Sequence, residues 1–479
     1  MMIEISGAKL AVAFWGGIVA FLFAVIFALF YFGYFRNDQF SKKLFYISAI
    51  SLFALAFLKL VIFYMYPYNY IADRLVFYAI PSPKALGWLW LAGTTLLFML
   101  FLRFRERMER VAVFKFLFAL YVFFVFFSIG VAAVREGFFS VYEPFTRTHF
   151  EYTGNLYLIR NTSDFLKNFI DLSQSLSIHT RIHPPGYTLI LYFFQKYLHA
   201  GFGGMAALTV MLGGLAVFPL YYFLKNFATE RETRRGLELF VFFPSFAMMS
   251  ATSMDAVFLF FVWIAIFLIY AGWMRSAVLS FLGGVAAAAA LFLNYLFLLA
   301  APLFLILLFM VYGKSGEAKR LIFRTAAAVA GLALFFAALY LVYDYSIWEN
   351  FWVSRAAQNA EIKSNFESLL IYFVYFFMNL SAFAVYLGLP NVFLLVGRIK
   401  EFWRRENLAA SLGFIMVGLF LLMGIFQGEV ERIWLFLTPL FILPLMKIVK
   451  DWEPLRFNAL LSLLFFQIIT LQILFYTYW

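Results

Sequence analysis

Residues 111–134 read VAVFKFLFALYVFFVFFSIGVAAV, and Lys115 is the one charged side chain among them. A helix that crosses the hydrocarbon layer of a membrane needs about 20 mostly apolar residues. No water reaches that layer, so every backbone N–H and C=O has to be satisfied within the helix itself. The stretch meets both demands. Working outward from it, runs of the same kind lie near 10–34, 44–66, 86–102, 203–226, 237–252, 256–274, 277–292, 295–313, 325–343, 369–396, 408–427, 433–448 and 457–477. With 111–134 they make fourteen expected spans. The expected fold class is all-α, a polytopic transmembrane helical bundle. Composition agrees, since 65% of the 479 residues are hydrophobic and only 13% charged, against about 25% charged in a soluble domain. The dense Phe content serves lipid contact and packing between helices. Lys59, inside the second run, has to face protein or reach toward an interface. The chain has no cysteine, which excludes disulfides, thiolate catalysis and Cys-based metal sites. Its four His are too few for a His-rich metal centre.

The net charge of +12 would suggest nucleic acid if its distribution were ignored. Sorted by the loops between the expected spans, 24 basic and 11 acidic residues fall on one side, a net of +13. These include Arg36, Lys42, Lys43, Arg103 to Lys115, Lys225 to Arg235, Lys314 to Arg324, Arg398 to Arg405 and Lys447 to Arg456. The remainder holds 13 basic and 14 acidic residues. Lys and Arg collect in cytoplasmic loops, so the charge reads as topology, with the N-terminus outside and no nucleic-acid partner. The first run has too long an apolar stretch, and too few basic flanks, for a cleavable signal peptide.

Residues 135–202 break the pattern. They form an expected outer loop with all four His and the only Pro-Pro of the chain. Loops this long are usually functional. Asn161-Thr162-Ser163-Asp164 offers capping groups and an N-glycosylation sequon. Phe165, Leu166, Phe169, Ile170, Leu172 and Leu176 follow at helical spacing, opposite Lys167, Asn168 and Asp171, which predicts an amphipathic helix on the outer membrane surface. A second short helix is expected to open at Pro184-Pro185 and run from Tyr187 to Leu198, because proline's missing N–H costs nothing in a first turn.

Polar groups gather on the same outer side. They are Glu143, His149, Glu151, His179, Arg181 and His183 in the loop, and Asp255 in a tight turn. Asp344, Glu349, Arg355, Gln358 and Glu361 follow in a second loop, with Glu429, Glu431 and Arg432 last. Carboxylates there can act as a general base, and cations can hold a phosphate. Asp255 interrupts a long apolar stretch, where an acid is costly unless used or paired; capping of the next helix is the plainer account. His179 and His183, four apart, suit a metal pair only on a continuous helix, which the following prolines disfavour. Hydrogen bonding to phosphate or sugar, or loop packing, remains open for both. The segment Gly428 to Arg432 reads as a solvated turn or as the edge of a site leading into Trp434.

The order of these features resembles the GT-C fold glycosyltransferases, integral membrane enzymes that take a sugar from a polyprenyl phosphate carrier. The likeness spans roughly residues 111–448. It rests on His149-Phe150-Glu151-Tyr152, on Arg181-Ile182-His183-Pro184-Pro185-Gly186-Tyr187, on Pro244-Ser245-Phe246 through Asp255, and on Gly428 to Trp434. Residues 1–110 would then be three additional helices, 111–448 the catalytic core and 449–479 a last helix. The resemblance implies transfer of mannose or another hexose or pentose from dolichyl or undecaprenyl phosphate to a glycan, lipid or protein acceptor. The setting would be the plasma membrane of a prokaryote, bacterial or archaeal, with the active site facing outside among membrane lipids. It implies that Glu151, or second to it Glu143, is the base that deprotonates the acceptor, and that Asp255 is a second acid. Family members more often carry Asp at the base position, sometimes paired as Asp-Glu. Arg181, His183, His179, Arg355, Glu429 and Arg432 would bind substrate. A divalent cation, Mg or Mn, would belong at Asp255 if this chain is a metal-dependent member.

Displacing a lipid phosphate from an anomeric carbon needs proton removal from the attacking hydroxyl and charge stabilisation on the leaving phosphate. One displacement inverts the anomeric centre and needs a single carboxylate base rather than the pair of a retaining glycosidase. A transporter or lipid-linked sugar flippase is the alternative from another class, and it predicts charges near the bilayer midplane and two related halves. An O-antigen-type polymerase or ligase is chemically nearer.

Overall fold

The computed structural model describes residues 7–66, 74–361, 365–403 and 407–477. Arg404 and Arg405, counted above on the basic side, lie outside them, as does the side chain of Glu361. The described chain is almost wholly helical. Ten of its helices are long and apolar enough to cross a membrane: Lys9–Tyr34, Gln39–Met65, Trp88–Met108, Val113–Ala133, Phe202–Leu224, Asp255–Arg275, Tyr295–Ser315, Ala318–Tyr343, Leu369–Leu387 and Pro454–Leu474.

The other expected spans come out differently. Ala277–Leu293, Leu408–Met423 and Leu435–Val449 are apolar but shorter. The run at 237–252 is not one helix but two, Glu230–Phe240 and Pro244–Met249. Pro244 has no N–H to continue a ladder, and the residue before a proline is pushed out of the helical region; Phe243 accordingly has ψ 126°. The run at 369–396 divides at Gly388, whose φ of 100° is open to glycine and strained for other residues. A new helix, Leu389–Gly397, begins there with Pro390 in its first turn.

The chain forms two compact units from non-consecutive stretches. One comprises Met1–Val141, Phe227–Ser253 and Asn365–Trp479, so the first three helices pack in the same unit as the last. Its centre is Pro454–Leu474, buried on nearly every side, with Asn458 accepting from Arg105 and Gln467 and Gln472 donating to the carbonyls of Val385 and Ala132. Phe98 stacks on Phe465 at 4.2 Å and Phe27 on Phe466 at 4.6 Å. Ile80–Pro81 pairs antiparallel with Phe475–Tyr476, and Arg135 donates to the carbonyls of Ser82, Gln472 and Phe475, tying that end together. Lys59 faces protein, fully buried, and donates to the carbonyl of Leu75 at 3.3 Å. Arg105, also fully buried, reaches Glu109, Glu238 and Asn458, which gives each buried charge the partner it requires.

The other unit comprises Tyr142–Asn226 and Met254–Ser364. Asp255–Arg275, Ala277–Leu293 and Ala318–Tyr343 lie against one another through small residues. At Gly284 an added Cβ would sit 1.8 Å from the carbonyl oxygen of Ala328, so the two backbones approach as closely as they do only because that position has no side chain.

Residues 139–197 of this sequence, expected as a loop, are a chain of short helices. The amphipathic helix is shorter than expected. Thr162–Lys167 is helical, and Asp171–Ser175 is a separate 3₁₀ turn. Phe165, Leu166, Phe169 and Leu176 are buried inside the protein rather than left open on a lipid-facing surface. Asn161 caps the first of these helices by accepting from the N–H of Asp164 at 2.8 Å. The Pro-Pro helix is Gly186–Tyr197 with Pro185 as its cap.

Candidate functional site

The sharpest arrangement of the expected residues lies between 150 and 188. Tyr152–Leu158 is a 3₁₀ helix with Glu151 as its N-terminal cap. Ile178–Ile182 is a single helical turn that stops at extended His183, before Pro184. The prolines therefore end a helix at 182 rather than preventing one, and His179 and His183 do not share a continuous helical face. Instead, His179 meets Glu151: its Nδ1 stands 3.1 Å from Glu151 Oε2. Both side chains are part-buried, at 25% and 20% exposure, which leaves an edge open to a ligand.

Main-chain bonds hold this pair in register. The N–H of His179 donates to the carbonyl of Phe150 at 3.2 Å, and Ser177 Oγ donates to the carbonyl of Glu151 at 2.9 Å. Asn155, buried, accepts from the N–H of Ser177 and lies 2.6 Å from the Ser177 hydroxyl, whose one proton is shared between Asn155 Oδ1 and the carbonyl of Glu151. Tyr152 places its ring 5.9 Å from His179, 6.1 Å from His183 and 5.0 Å from Tyr187. Gly186 opens the following helix against Phe292, where an added Cβ would meet the carbonyl oxygen at 2.4 Å. The carbonyl of Arg181 accepts from Ser354 Oγ at 3.1 Å. That bond joins the 178–182 turn to Ile347–Glu361, the helix that carries exposed Arg355 and Gln358. Tyr295 and Tyr345 both donate to Asn350, which fixes the start of that helix.

The two glutamates left open by sequence are placed differently. Glu143 accepts from Arg147 Nε at 3.2 Å and Nη2 at 2.7 Å, so its carboxylate is engaged by a guanidinium. Glu151 is paired with an imidazole instead. Asp255 is the first residue of Asp255–Arg275 and is 6% exposed, where a carboxylate is favoured by the helix dipole. It stands on a different element from the Glu151–His179 pair, beside Phe202–Gly214, whose Gly213 leaves room for Ala256.

Glu429 and Arg432 belong to the other unit. They pair at 2.6 Å, and Arg74 lies 3.8 Å from Glu429, so the turn is an ion-paired corner rather than a solvated one. Glu431 between them is 1% exposed. Its Oε1 accepts from the N–H of Tyr78 at 3.1 Å. Burial, aided by Glu429, pushes its carboxyl up to about 8, against the opposing pull of its own backbone N–H, Arg432 and the N–H of Tyr78.

Sequence reasoning passed over Asn155, Ser177 and Thr180, the polar groups that hold the Glu151–His179 pair. Their spacing carries a weak signal, because Ser177 precedes a helical turn and Ser is a favoured cap. Among the described residues no group of three His, Asp or Glu stands close enough to hold a metal ion. No step is assigned to a bound Mg or Mn. No family model, curated protein or solved structure matches this chain.

Proposed function

We propose that this chain is a membrane glycosyltransferase of the GT-C type. It moves a sugar, mannose or another hexose or pentose, from a polyprenyl phosphate carrier to an extracytoplasmic acceptor hydroxyl by one inverting displacement. What supports the reading above all is the Glu151–His179 hydrogen bond, built into short helices that link long apolar ones and lying just ahead of His183-Pro184-Pro185-Gly186. A carboxylate–imidazole pair is equipped to take a proton from a hydroxyl. Arg181, His183 and Arg355, on or next to the joined elements, supply cationic or hydrogen-bonding groups suited to a phosphate. In this reading the three shorter apolar helices and the divided 230–249 segment complete the fourteen expected crossings. The basic loops face the cytoplasm of a prokaryote, and Asp255 orients a substrate.

The test uses the purified chain in lipid vesicles with dolichyl and undecaprenyl phosphates carrying radiolabelled hexoses or pentoses, and a membrane glycan and lipid extract as acceptor. Label is expected to leave the carrier. Glu151→Gln is expected to lose about 10²-fold or more, the scale of a general acid–base contribution. Glu143→Gln should stay near the parent rate, and Asp255→Asn should fall below it. Absence of transfer from every carrier, together with ion- or substrate-coupled uptake, would replace this reading with a transporter. Full activity of both Glu variants would remove the carboxylate from the mechanism.

A further inference from the structure

The Glu151–His179 contact has a direction. A carboxylate only accepts hydrogen bonds, so a 3.1 Å approach to Nδ1 places the ring proton on Nδ1 and leaves the lone pair of a neutral imidazole on Nε2, at the opposite edge of the ring. The main chain that carries the ring is tied down: the backbone N–H of His179 donates to the carbonyl of Phe150, the carbonyl of Glu151 accepts from Ser177, and the Tyr152 ring lies 5.9 Å from the imidazole. Carboxylates orient catalytic imidazoles in this manner in unrelated proteins, fixing the tautomer and stabilising the imidazolium once it forms. Imidazole is also the stronger base of the two side-chain types by about two pK units, which suits proton transfer near neutrality.

We propose that His179, through Nε2, is the group that takes the acceptor's proton, and that Glu151 is a positioning residue acting through the ring. This rests on the glycosyl-transfer reading. In the step, the acceptor O–H bond breaks and its proton goes to Nε2. The freed oxygen lone pair forms the new bond to the anomeric carbon. The bond from that carbon to the carrier phosphate breaks, and its electron pair leaves with the phosphate. Glu151 remains ionised and faces the imidazolium. Arg181 on the same turn and His183 at its end are, in this proposal, the groups that hold the departing phosphate.

The test compares His179→Ala, His179→Asn and Glu151→Gln in the vesicle assay, alongside ¹⁵N spectra of the histidines, four in all, in the intact protein. His179→Asn keeps an N–H able to face Glu151, so it preserves the local fold. Both His179 variants are expected to lose about 10²–10⁴-fold, with added imidazole restoring part of the rate in His179→Ala. A residue with only a structural role would not respond to imidazole. In the parent, the His179 spectrum is expected to show a protonated Nδ1 and a bare Nε2, and Glu151→Gln should mix the tautomers. Near-parental transfer in His179→Asn with loss in Glu151→Gln would overturn the assignment and make Glu151 itself the base, while leaving the transferase reading intact. Failure of the parent to transfer any sugar would overturn that reading, and the base with it.

Discussion

Replacing Asn155 by alanine should loosen the turn that carries His179, by an amount that can be worked out. Asn155 is buried at 3% exposure, and its Oδ1 accepts from the N–H of Ser177 at 2.9 Å and lies 2.6 Å from Ser177 Oγ. Ser177 Oγ has other partners, the carbonyl of Glu151 at 2.9 Å and Thr180 Oγ1 at 3.0 Å, so the hydroxyl loses little. The N–H of Ser177 has no such alternative and would be left part-buried without an acceptor. An orphaned donor of this kind costs about 1–3 kcal/mol. At the middle of that range, about 2 kcal/mol, local opening becomes about 30-fold more frequent, since about 1.4 kcal/mol is a factor of ten. Hydrogen exchange read by mass spectrometry should show this in peptides covering 172–183, with peptides from Pro454–Leu474 unchanged. Asn155→Asp keeps an acceptor at the same place and should stay within a few-fold of the parent. If Asn155→Ala left exchange across 172–183 unaltered, or if Asp and Ala accelerated it equally, the clamp described above would not be what holds the turn.

Two further expectations follow from particular residues. Glu431 holds its proton to about pH 8 in the folded chain, whereas an unfolded Glu releases it near 4.3. Its stabilising contribution is therefore full below about pH 4.3, declines as pH rises, and is gone above about 8. Glu431→Gln, which keeps the bond from the N–H of Tyr78, should flatten the pH dependence of the unfolding temperature, followed by intrinsic tryptophan fluorescence. An unchanged slope would show that Glu431 is not the titrating group. Because the native chain has no cysteine, single cysteines report sidedness without background. Ser163→Cys should react with an impermeant maleimide in intact cells, and Lys319→Cys only after lysis; the reverse pattern would invert the proposed topology.

The long apolar runs marked most helices to within a few residues because spacing and composition act locally. A helix in lipid must be apolar along its whole length, and that requirement is written residue by residue. Local stereochemistry is legible in the same way. Pro185 opens the helix that follows it, Asn161 caps its neighbour, and Lys59 could not be left facing lipid. The break at Phe243 was legible in principle, since Pro244 sits in the middle of the run, but hydrophobicity masked it.

What the sequence by itself determined was a membrane-type helical chain and a short list of polar residues. Which of those residues meet was decided only by the tertiary structure. Glu151 and His179 are 28 positions apart, joined because Ser177 and Asn155 hold a 3₁₀ helix against a single helical turn. Glu143 accepts from Arg147, four positions on. Glu431 became a buried acid while its neighbours on either side formed an ion pair. In a chain where nearly every helix face is apolar, hydrophobic periodicity cannot say which face meets protein and which meets lipid. The few polar contacts are then fixed by how the helices pack.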